Sequence, residues 1–134
     1  MNAYHELCAY TLSHGDAAFI HQHVVDTYAA QHADVQTKPI ALTFALVGLY
    51  LHNEKAFSGR EVQRAHMKLA QRKQPWPEFV LPAHRGNMTV ADVLAAPGGD
   101  QRDAAIHAWC ADVWGAFREN ESRIADLLRR NGIV

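Results

Sequence analysis

Residues 40–53 read IALTFALVGLYLHN, and this run constrains the fold more than any other stretch. It is apolar nearly all round, the mark of a helix packed on every side rather than lying on a surface. It is far shorter than the roughly 20 residues a bilayer core demands, so it predicts the central helix of a soluble bundle. Pro39 before it suits a helix start, because its missing N–H would be unpaired there anyway. Gly48 costs about 1 kcal/mol of helix propensity against Ala, which predicts a close approach by a neighbouring helix.

The remaining segments give this helix its neighbours. Residues 2–12 put Tyr4, Leu7, Cys8, Thr11 and Leu12 on one side at helical spacing. Asp16 is the predicted N-cap of a second helix over 17–32, with Ile20, Val24, Val25 and Tyr28 inward. Ser58 and Glu61 form a capping-box pattern that opens a basic amphipathic helix to about residue 72, with Val62, Ala65, His66 and Leu69 inward. Thr89 and Asp92 repeat the pattern for a short helix over 90–96. A last long helix is expected from about 100 to 130. Its stripe is Ile106, Trp109, Cys110, Val113, Trp114, Phe117, Ile124, Leu127 and Leu128.

Between these lies one long connection, QPWPEFVLPAHRGNM (74–88), where three prolines forbid continuous helix. Its Trp76, Phe79, Val80 and Leu81 are too apolar for a free linker and predict a loop packed on the bundle. No adequate segment alternates with period two. The expected architecture is all-α: a compact antiparallel bundle of five or six helices, one domain over 1–134.

Composition narrows function by exclusion. The formal net charge is -1, from 13 Lys and Arg against 14 Asp and Glu, so no dedicated nucleic-acid binding is expected. The basic stretch 55–73 reads as a solvated helix face. Two isolated cysteines, Cys8 and Cys110, and the lack of a signal-peptide pattern point to reduced thiols in the cytoplasm. No GxSxG, P-loop or GxGxxG occurs.

The unusual feature is nine histidines, and imidazole is the commonest transition-metal donor. Two ligands on one helix must lie three or four residues apart, and no two of these histidines do. His21 and His32 share a helix face but stand roughly 16 Å apart along the axis. His23 lies about 200° from His21, which predicts that it faces solvent while Tyr28 and His32 face inward. With mixed donors, Asp103, His107 and Cys110 fall at i, i+4, i+7, and His5 with Cys8 repeats the HxxC spacing. These five are the candidate ligands for a divalent transition metal. Against this, cysteines on apolar stripes usually serve as small buried hydrophobes.

The stretch HQHVVDTYAAQHAD, carrying His21, Asp26, Tyr28, Gln31 and His32, resembles the signature of the DUF5946 family of uncharacterised bacterial proteins. The resemblance continues in ALVGLYL (45–51), PWPEFVLPAHRGNMTVADVLAA (75–96) and AWCADVWGAF (108–117). Three family features are missing: an N-terminal CPxCG stretch, a histidine at Ala45, and a histidine pair at Asn120 and Glu121. The resemblance implies a shared fold unit and a polar quintet, with no activity attached.

The leading expectation is a non-enzymatic or vestigial bundle that binds a small ligand or metal through a polar site on the second helix. TVADVLAA followed by a His-bearing helix resembles the DinB-like metal bundles and implies a metal-dependent hydrolase or transferase as the alternative. A protein–protein module working through the Trp76 loop, in a possible homo-oligomer, is the third reading. The quintet itself is expected to act mainly as hydrogen-bonding structure, with Asp26 contacting a neighbouring helix or loop.

Overall fold

The computed structural model describes residues 2–14 and 18–134. Among them every regular element is helical: α1 (Ala3–Leu12), α2 (His21–Gln31), α3 (Pro39–Lys55), α4 (Gly59–Ala70), α5 (Val90–Ala95), α6 (Asp100–Phe117) and α7 (Glu121–Arg130). α3 is the central helix that its sequence predicts. Its residues from Ala45 to Leu51 are all buried, and it packs against α2, α4, α6 and α7. Pro39 occupies its first turn. Trp109, Trp114 and Phe117 of α6 are the largest side chains fully enclosed in the core.

Local signals set the ends of α4 and α5 as expected. Ser58 Oγ accepts from Glu61 N at 3.2 Å, while the Glu61 carboxylate accepts from Ser58 N at 2.9 Å. At the start of α5, Asp92 Oδ2 accepts from Thr89 N at 2.9 Å and from Thr89 Oγ1 at 3.2 Å. The bonds to backbone N–H satisfy amides that have no partner inside the helix.

Several expectations need correction. α2 begins at His21 rather than at 17, and the Asp16 cap lies outside the described residues. Its inner face is turned from the predicted one. His23, Val24, Asp26, Thr27 and Ala30 are buried, Tyr28 is half-buried, and His32 is exposed. The reason is that α2 packs against α1, α3, α4 and α6, so the face opposite His21 is covered as well. Leu12, expected on the inner stripe of α1, is 60% exposed.

The last helix is not continuous. Residues Arg118–Asn120 form a 3₁₀ turn between α6 and α7. Asn120, fully enclosed there, accepts from Val80 N at 2.8 Å and donates to Val80 O at 3.0 Å. Both backbone groups of one loop residue are thereby satisfied across 40 positions.

The proline-rich loop packs on the bundle as expected, except that Val80, expected to pack with it, is 43% exposed. Phe79 and Leu81 lie on the core, and Trp76 meets Phe44 edge-on with ring centres 5.7 Å apart. Gly86, at φ +91°, brings the chain onto α6, where Asp112 Oδ2 accepts from Asn87 N at 2.6 Å and Met88 N at 2.8 Å. A Cβ at Gly86 would stand 2.4 Å from that oxygen, and the left-handed conformation favours glycine independently.

Candidate functional site

Three histidines, from three helices, meet at one end of the bundle. His23 comes from the first turn of α2, His52 from the last turn of α3, and His107 from α6. His23 lies flat on His52, with ring centres 3.7 Å apart and 23° between planes. The centres of His52 and His107 are 5.1 Å apart, and those of His23 and His107 6.1 Å.

The end of α3 fixes the middle ring. Ala56 takes the left-handed conformation (φ +57°), and Phe57 N donates back to Leu51 O at 3.0 Å. This reversal places Phe57 O 3.2 Å from His52 Nδ1. A carbonyl only accepts, so His52 Nδ1 carries the proton and, in the neutral ring, Nε2 carries the lone pair. That Nε2 is 3.1 Å from His107 Nδ1, which is therefore the donor. His107 Nε2 is left as a lone pair without a protein partner among the described residues.

The cluster borders a cavity of about 390 Å³, walled also by Ile20, Phe57 and Asp103. Asp103 Oδ1 accepts from Tyr10 Oη at 2.8 Å and His14 Nε2 at 2.9 Å. Burial pushes the Asp103 carboxyl up, but these two bonds outweigh it and hold the group below its usual range. His23 is only 4% exposed. Burial first, then its two histidine neighbours, push it down to about 3. His52 is also lowered, by burial, against the opposing Phe57 carbonyl. At neutral pH these two rings are uncharged lone-pair donors. His23 Nδ1 is buried with no protein hydrogen-bond partner among the described residues.

The candidate ligands read from sequence spacing are dispersed. Asp103 and His107 both line the cavity. Cys110 lies in the core, where Sγ accepts from Thr27 Oγ1 at 3.0 Å and burial pushes the thiol up to about 12. Cys8 is half-buried, His5 is exposed, and neither cysteine is in a disulfide. No group of three or more His, Cys, Asp or Glu residues stands ready-made around a metal position among the described residues. His23 and His52 escaped the spacing argument because that argument tests one helix at a time.

The signature quintet divides by role. Gln31 Nε2 donates to Arg85 O at 3.2 Å and Met88 O at 2.7 Å, and Oε1 accepts from Trp109 Nε1 at 3.1 Å. It joins α2, the long loop and α6. Asp26 is buried against Gly48 of α3, with Oδ1 accepting from Gln22 Nε2 at 3.1 Å and Oδ2 3.9 Å from His66 Nε2. Burial raises its pKa well above the ordinary value. Tyr28 is stacked between Tyr4 and His32, with ring centres 3.8 and 4.0 Å away. His21 Nδ1 lies 2.9 Å from Thr11 Oγ1.

A family model, described as a family of unknown function (DUF5946), matches residues 1–118. The chain belongs to the DUF5946 family. The matched span holds the quintet, the long loop and all three clustered histidines of this DUF5946 protein. No curated protein and no solved structure matches it. No helix among its described residues is long and apolar enough to cross a membrane.

Proposed function

We propose that this DUF5946 protein is a ligand-binding helical bundle, non-enzymatic in itself, whose site is the cavity bordered by His23, His52 and His107. One observation carries the reading: three imidazoles from three helices border one cavity, and His23 Nδ1 among them is buried without a protein partner among the described residues. A buried, unsatisfied polar group costs roughly 1–3 kcal/mol. Such a group calls for an explanation, and a bound ion or small molecule is one that suits a group bordering a cavity. The ligand completes the lone pairs that the rings leave open. Two isolated cysteines in a chain with a core of its own suit a reducing compartment, and we place the protein in the cytoplasm.

The test is NMR of the histidine rings in the tag-free protein, titrated separately with zinc chloride, phenol and sodium acetate. At least one probe is expected to move His23, His52 and His107 together and saturably, ahead of the exposed His5, His32 and His84. If all three probes leave the cluster unmoved up to millimolar concentration, the reading fails.

A further inference from the structure

We propose that His52 Nε2, His107 Nδ1 and the ring of His23 bind one borderline divalent transition-metal ion, Zn²⁺ foremost, the ion entering between the two nitrogens that now share a proton. The inference rests on the ligand-binding reading above and names its ligand.

Geometry is the first support. An ion about 2.0–2.1 Å from each ring nitrogen separates two tetrahedral imidazole nitrogens by about 3.3 Å and their ring centres by about 5 Å. His52 Nε2 and His107 Nδ1 are 3.1 Å apart, with centres 5.1 Å apart. That pair is already spaced as two cis ligands. The bond it makes now is one N–H···N contact, which an ion replaces once the two rings turn their lone pairs toward a point beside the N–N line.

The second support is orientation. A metal-bound histidine nearly always donates its other N–H to a carbonyl or carboxylate, which fixes its tautomer. His52 does this already: Phe57 O holds the proton on Nδ1 and leaves Nε2 as the ligating atom. On binding, the His107 proton moves from Nδ1 to its unpartnered Nε2, so both rings stay neutral and the proton count is conserved.

His23 supplies the third donor. Its ring lies against His52, its Nδ1 has no protein partner among the described residues, and both residues border the cavity. Stacked centres at 3.7 Å are too close for two ligands of one ion, so His23 leaves the stack to coordinate. The cavity beside the cluster admits a water or small molecule at the fourth position. Imidazole nitrogens select Zn²⁺, Co²⁺, Ni²⁺ or Cu²⁺ over Mg²⁺ and Ca²⁺, which require oxygen donors.

The experiment uses the full chain, tag-free and stripped with chelator, titrated with Co²⁺ by visible absorption and then with Zn²⁺ in competition. One ion per chain is expected, with tetrahedral Co²⁺ bands that Zn²⁺ abolishes and Mg²⁺ does not. His107→Ala removes an exposed side chain, and His23→Phe keeps a ring in the stack, so both variants are expected to fold, which circular dichroism checks. Each should weaken binding by more than the 10–100-fold typical of losing a supporting partner, while His84→Ala, in the remote loop, leaves it unchanged. No binding at 100-fold excess over about 10 μM protein, or binding that survives either His107→Ala or His23→Phe, overturns the proposal. Ring shifts with phenol or acetate but none with zinc overturn it too, and leave the ligand-binding reading standing.

Discussion

Replacing Gly48 with alanine isolates the contact between α2 and α3. In an open helix interior the change stabilises by about 1 kcal/mol, because alanine restricts the unfolded chain and glycine does not. Here a Cβ would fall 1.9 Å from Asp26 Oδ2 and 2.5 Å from Cγ. Asp26 is 4% exposed, so the carboxyl group has no solvent to retreat into. Turning it aside breaks the Gln22 bond at 3.1 Å, and leaving it in place forces two core helices apart. Overpacking of this kind costs about 1–3 kcal/mol, and a buried polar group stripped of its partner about 1–3 kcal/mol more. Set against the propensity gain, Gly48→Ala should destabilise by about 1–5 kcal/mol, read from urea unfolding curves with an unchanged m-value. The decisive control is Asp26→Ala combined with Gly48→Ala. With the carboxylate gone the methyl has room, and the pair should couple favourably by about 1–3 kcal/mol. A Gly48→Ala protein as stable as the parent, or double-mutant effects that add within about 0.5 kcal/mol, would refute the reasoning.

Three further outcomes follow from the same structure. Asp26 has a raised folded pKa, so the folded state holds a proton that the unfolded chain releases above the ordinary carboxylate range, and stability falls as pH rises through that window. Asp26→Asn removes this dependence, and its stability relative to the parent should increase from pH 4 to pH 8; a flat or falling difference in urea midpoints contradicts it. His23 is shifted the other way: in chelator, this ring should contribute a loss of up to about 1.4 kcal/mol per pH unit below 6.5, beside the shares of the likewise lowered His21, His52 and His66, as the unfolded chain takes up a proton that the folded one refuses. His23→Phe should flatten that slope, and an unchanged slope on acid titration would argue against the buried, neutral ring. Gln31→Ala releases both the loop and the Trp109 indole, so limited proteolysis should cut within residues 78–86 at least about tenfold faster, the equivalent of about 1.4 kcal/mol in local opening; an unaltered rate means that the loop is held elsewhere.

What the sequence determined by itself is what local chemistry determines. The apolar run at 40–53 specified a central helix, Ser58 with Glu61 and Thr89 with Asp92 specified two helix starts, and the prolines of 74–88 specified a loop that its aromatic residues tie to the core. Each signal acts within about one helical turn, so it survives whatever the rest of the chain does. Tertiary structure decided everything that needed two helices at once. A helical angle placed His23 opposite the inner face, yet packing on four sides of α2 covers that face too. Asn120 breaks a helix by binding a residue 40 positions away. His23, His52 and His107 share no spacing rule, because distance along the chain carries no information about which ends of α2, α3 and α6 are neighbours. Only the mutual packing of those helices, driven by burial of apolar side chains elsewhere along them, brings three imidazoles to one cavity.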